Sequence, residues 1–89
     1  MYYVYVLICL NKKEEPEFYI GYTTDLRKRF AKHLAKEIKT TKKFVNLKLV
    51  YYEACLNKTD AVKRELQLKT GFGRGYIKRR LSTYLKKRV

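Results

Sequence analysis

Serine and histidine each occur once in this chain, as Ser82 and His33, and tryptophan does not occur at all. A Ser-His-Asp triad would have to be built from those two residues, and no nucleophile-elbow motif surrounds Ser82. Cysteine occurs twice, as Cys9 and Cys55, without the CxxC or Cys/His spacing of a zinc site. Each sits in an apolar run, so both read as buried, reduced thiols, as in a cytosolic protein. One proline and four glycines leave no linker, repeat or low-complexity tract. The eight acidic residues offer no carboxylate set of the kind that holds two metal ions. Long apolar stretches are also absent. The run over residues 2–10 is too short to span a membrane and lacks the basic flank and cleavage site of a signal peptide. It reads as a core strand, and a cytoplasmic chain without membrane attachment is expected.

Positive charge is abundant. Twenty-two Lys and Arg stand against eight Asp and Glu, a net charge of +14 on 89 residues. Such a surplus repels itself in the compact state and attracts polyanions. Nucleic acid is the first candidate, with anionic membrane and ribosomal RNA as rivals. The 46% hydrophobic fraction, rich in nine Tyr and four Phe, supports a folded core. One domain over residues 1–89 is expected from the length.

Residues 2–8 are aromatic and β-branched without alternation, which predicts a strand covered on both faces. A polar turn over 11–17, containing Pro16, leads to a second strand over 18–22 and makes an antiparallel hairpin. Thr23-Thr24-Asp25 can cap a helix, and Leu26, Phe30, Leu34 and Ile38 recur every four residues, predicting an amphipathic helix over 25–38. Residues 39–46 read as a basic loop with two threonines, and 47–54 as a third strand. A second helix starts at Asn57 or Thr59 and stops near Thr70-Gly71, where glycine suits a left-handed cap. Gly71-Phe72-Gly73-Arg74-Gly75 lacks the Walker and dinucleotide-binding spacings and reads as an open helix–helix connection. A last helix carries Ile77, Leu81, Tyr84 and Leu85 on one stripe and Lys and Arg on the other. The expected fold is α+β: a three-stranded antiparallel sheet flanked by three helices, in the order β-β-α-β-α-α.

Three groups could carry chemistry. Arg29 and His33 are i and i+4 on one helix face; Asp25, a turn earlier, offers Arg29 a surface ion pair as an alternative to a phosphate. Glu65 lies beside the apolar stripe of its helix. Either Lys69 pairs with it or it is the single carboxylate that a Mg²⁺ site needs. Tyr5 and Tyr19 lie on neighbouring strands, either as core or as phenols whose surrounding cations suit them to proton transfer.

Tyr19-Ile20-Gly21, preceded by Tyr5 on a first strand, resembles the signature of the GIY-YIG endonuclease superfamily. Arg29 ten residues after Tyr19, His33 four later, and Glu65 on a helix beyond the third strand extend the likeness. The stretch from Gly71 to Leu81 resembles the ending of the small standalone bacterial members, and the whole resembles the N-terminal nuclease domain of excision-repair nucleases. Two features depart from the pattern. Val4-Tyr5-Val6 replaces Gly-Ile-Tyr, which leaves Tyr3 as an alternative to Tyr5, and no Asn follows Glu65. The resemblance implies a metal-dependent DNA endonuclease acting in repair or recombination, structure-selective or weakly sequence-specific, with one Mg²⁺ or Mn²⁺. Tyr5 would activate water, with His33 assisting. Tyr19 and Arg29 would hold the scissile phosphate, and Glu65 the metal. Lys42, Lys43, Arg74, Lys78 and Arg79 are the candidate DNA contacts, and a protein partner could supply specificity. The alternatives are a catalytically silent nucleic-acid-binding module and an RNA- or ribosome-associated protein.

Overall fold

The computed structural model describes residues 1–87. Its elements run β1 (Tyr2–Leu10), β2 (Pro16–Thr23), α1 (Leu26–Leu34), β3 (Asn46–Cys55), α2 (Lys58–Leu68), α3 (Gly71–Arg80) and α4 (Ser82–Lys87). The α+β class and the expected order of elements hold, with the last helical stretch divided in two at Leu81.

Strand β1 is the middle of an antiparallel sheet of order β2-β1-β3. Its residues 4–9 are all buried, so the absence of alternation does mean two covered faces. Val4 and Val6 join Ile20, Ala61, Leu68 and Ile77 beneath α2 and α3. Tyr5, Leu7 and Cys9 join Phe44 and Leu47 on the α1 side. The hairpin closes through Asn11, whose Oδ1 accepts from the backbone N–H of Lys13 and Glu15 at 2.9 and 3.0 Å. Both strands run past the expected limits, so the loop shortens to residues 11–15.

Helix α1 starts where expected: the Asp25 carboxylate accepts from the Lys28 N–H at 3.0 Å. It stops four residues short of the expected 38. Lys36 takes φ 61° and the Lys36 and Glu37 N–H groups bond back to the His33 and Lys32 carbonyls, a Schellman ending without glycine. The i+4 stripe is also corrected. The helix buries His33, so Leu34, about 100° further round, is left 55% exposed.

The glycine-rich stretch is corrected too. No glycine has a positive φ. Helix α2 is capped at its C-terminus by Lys69 in helical conformation, Thr70 caps α3 through its side chain, and Gly71 to Gly75 are helical. Gly73 is required by close approach: a Cβ there would overlap the Leu68 backbone, so α3 could not turn so tightly off α2. Cys9 is buried as expected, whereas Cys55 at the end of β3 is half-buried; both are free thiols.

Helices α2 and α3 are tied to β3 by a polar brace. Arg64 grips Glu53 through Nε and Nη2 at 2.8 and 2.9 Å, and its guanidinium lies over the Tyr76 ring at 4.7 Å. The Tyr51 hydroxyl donates to Glu53 at 2.8 Å. No helix among the described residues is long and apolar enough to cross a membrane.

Candidate active site

Side chains from β1, β2, α1 and the loop before β3 converge on the Tyr5 hydroxyl. Tyr5 points to the α1 face, where its ring is 1% exposed. It lies opposite Gly21 in the β1–β2 register. A Cβ on Gly21 would overlap Tyr5 Cζ and hydroxyl, so only glycine lets the phenol cross β2.

The Tyr5 oxygen is 2.8 Å from His33 Nε2 and accepts from Arg29 Nε at 3.3 Å. His33 Nδ1 is 2.7 Å from Thr41 Oγ1, and both His33 and Thr41 are fully buried. Two proton arrangements satisfy this line. In one, Tyr5 donates to Nε2 and Nδ1–H donates to Thr41; in the other, Thr41 donates to Nδ1 and Nε2–H to Tyr5. Tyr19 meets the His33 ring edge-on at 5.2 Å and lies 6.3 Å from the Tyr5 ring.

The electrostatics set the proton inventory. Burial pushes the Tyr5 phenol up to about 12 against the pull of the Arg29 hydrogen bond, so it is neutral at pH 7. Burial first and Arg29 second hold His33 below its ordinary range, so it is a free base there. The Tyr5 hydrogen bond raises Arg29 further, leaving it a permanent cation. The site therefore joins a neutral phenol, a neutral imidazole able to take a proton, and a fixed guanidinium. Asp25 is not the partner of Arg29; it caps the helix, and Arg29 turns inward.

Glu65 stands on α2, close enough for its charge to raise the Tyr5 phenol. Its Oε2 is 3.2 Å from Lys69 Nζ, and its side chain is 19% exposed. Among the described residues no three His, Cys, Asp or Glu side chains come together as a metal cluster. A lone, partly exposed carboxylate still fits Mg²⁺, which takes one or two protein carboxylates and completes its shell with water and phosphate oxygens. Lys69 would have to yield that oxygen.

The structure thus gathers Tyr5, Tyr19, Arg29 and His33 around one hydroxyl, with Glu65 nearby. Tyr3 is elsewhere, edge-on to Tyr52 at 6.0 Å. The five basic candidates are all exposed. Arg74 and Lys78 line a cleft that also contains Tyr19. Lys42 adjoins Thr41, Lys43 lies over the Phe44 ring at 5.2 Å, and Arg79 lies beside Gly75. Thr41 was missed at the sequence level. Its signal was a hydroxyl pair, Thr40-Thr41, in an otherwise basic loop.

Comparisons with known proteins place the sequence in a family. The family model described as GIY-YIG catalytic domain matches residues 1–81. A UPF0213 protein of Streptococcus pneumoniae serotype 4 is 40% identical over 68 residues, covering 75% of this chain and 65% of that protein. UPF0213 proteins of Streptococcus pyogenes serotypes M3 and M1 are 43% identical over 68 residues, covering 75% of this chain and 70% of theirs. The match therefore spans about two thirds of the length of these relatives. No solved structure gives a significant match. By sequence over residues 1–81, the chain belongs to the GIY-YIG catalytic domain family.

Proposed function

We propose that this chain is a DNA endonuclease of structure-selective or weakly sequence-specific action, a single nuclease domain that works with one Mg²⁺ or Mn²⁺ in repair or recombination. The observation that carries the reading is the Tyr5 hydroxyl, bonded at once to His33 Nε2 and Arg29 Nε. An attacking water loses its proton to the Tyr5 oxygen as the Tyr5 proton passes to His33 Nε2. The water oxygen bonds to phosphorus, the bond from phosphorus to the leaving sugar oxygen breaks, and that oxygen takes a proton from solvent water. Arg29 keeps its terminal nitrogens for phosphate oxygens while Nε holds the phenol, and Tyr19 borders the same space. Glu65 would hold the divalent ion, which when bound supplies positive charge at the phosphate. The +14 charge and absence of an obvious base-reading element support contacts made chiefly to phosphate, so binding should weaken steeply with salt. A protein partner supplying specificity fits so small a chain.

One observation favours a silent DNA-binding module instead: the Glu65 carboxylate is already paired with Lys69. Cleavage of labelled branched and nicked DNA with Mg²⁺ or Mn²⁺ separates the two readings. Wild type should cut; Tyr5→Phe should bind DNA but cut about 10²–10⁴-fold more slowly for the lost proton transfer, and Glu65→Gln should bind DNA but lose cleavage with its metal ligand. Binding by all three with cleavage by none would overturn the enzyme reading.

A further inference from the structure

A cleft of about 960 Å³ runs along the outer edge of β2, between that strand and helices α2 to α4. Its floor is apolar, with Ile8, Phe18 and Leu85. One wall is cationic: Arg74 and Lys78, four residues apart on the same face of α3, stand with Lys69. Tyr19, the ring that meets His33, is among its lining residues. The cleft thus shares Tyr19 with the reaction centre, and it is apolar below and positive at the side.

We propose that this cleft receives an unpaired strand adjoining the scissile phosphate, so that the preferred substrate is DNA in which the cut bond borders single-stranded nucleotides. The inference rests on the nuclease reading above and narrows its substrate. Three features carry it. The space admits a few nucleotides of one strand and not both strands of a duplex. An apolar floor accepts unstacked bases, which every nucleotide offers and a paired duplex hides. Cations at helical spacing along one wall match the phosphates of the same strand, and Glu17 is the lone acid among the lining residues. The occupant that competes with DNA is a peptide strand added to the free edge of β2.

The test is binding by fluorescence anisotropy at one salt concentration, without divalent metal, using the full chain. The probes are a fully paired duplex and the same duplex with an unpaired arm containing 2-aminopurine. The armed DNA should bind about tenfold more tightly, the scale of one or two stacked bases. The 2-aminopurine emission should change on binding. Lys78→Glu on the surface of α3 and Leu85→Asp in the floor should each collapse the ratio of the two affinities toward one. Equal affinities for wild type, or a ratio that both variants leave intact, would overturn the proposal and leave the peptide strand as occupant. A parallel cleavage assay separates this failure from that of the nuclease reading. A preference in binding with no cutting sinks only the enzyme; cutting without preference sinks only the cleft.

Discussion

Tyr5 lies across Gly21, opposite it in the β1–β2 register, and occupies the space in which any side chain at position 21 would begin. The tyrosine and the glycine are thus one feature: the phenol reaches His33 and Arg29 because β2 presents bare backbone beneath it. Gly21→Ala should push the ring aside. We expect a stability loss of about 1–3 kcal/mol from overpacking. Cleavage should fall by about 10²-fold from misplacement of the hydroxyl. Urea unfolding and single-turnover cleavage measure the two separately. Wild-type cleavage in a folded Gly21→Ala protein would show that the position of the hydroxyl does not matter.

Thr41 should behave as a positioning residue for His33. In Thr41→Val the shape is kept, but buried Nδ1 loses its partner, at a cost of about 1–3 kcal/mol. Thr41→Ser should restore both stability and cleavage, because the hydroxyl at Nδ1 is what matters. A Ser variant no better than Val would refute this. The ¹⁵N shifts of the single histidine report its tautomer directly.

The acid limb should belong to His33. Its folded pKa lies below the ordinary value near 6.5, so between the two values the unfolded chain binds more protons. This contribution to stability is present above about pH 6.5 and is lost as pH falls through the folded value. Cleavage should fall over the same range, since protonated Nε2 cannot accept from Tyr5. Tyr5 has the opposite sign. Its stabilising contribution is intact below about pH 10 and is lost as pH rises toward the folded value of about 12. A cleavage–pH profile unchanged in His33→Gln would remove His33 from the relay.

The Glu53–Arg64 brace should hold α2 against β3. Arg64→Ala leaves a partly buried carboxylate without its two-point partner, for an expected loss of about 1.5–3 kcal/mol. The Arg64 hydrogen bonds, chiefly, hold Glu53 below the usual carboxylate range. The associated stability is present above the ordinary carboxylate value and is lost as pH falls through the folded one. Wild type should therefore lose stability below about pH 4.5, with a shallower fall in Arg64→Ala. Parallel unfolding curves in acid would assign the loss to another carboxylate.

Sequence alone determined the class of the fold, the element order and the residues worth watching. Nine consecutive apolar residues in β1 demanded two covering layers, and helix starts near Asp25 and Asn57 are marked by side-chain chemistry within a turn. Those are local effects, set by period and by hydrogen bonds between near neighbours. The tertiary structure decided what depends on distant contact. It chose Tyr5 over Tyr3, sent Arg29 inward instead of to Asp25, ended α1 at Leu34 to bury His33, and gave His33 a partner eight residues away in a loop. It also folded the glycines into α3, because Gly73 had to pass the Leu68 backbone. A buried polar group must find a partner wherever the fold places one, and no periodicity along the chain records where that will be.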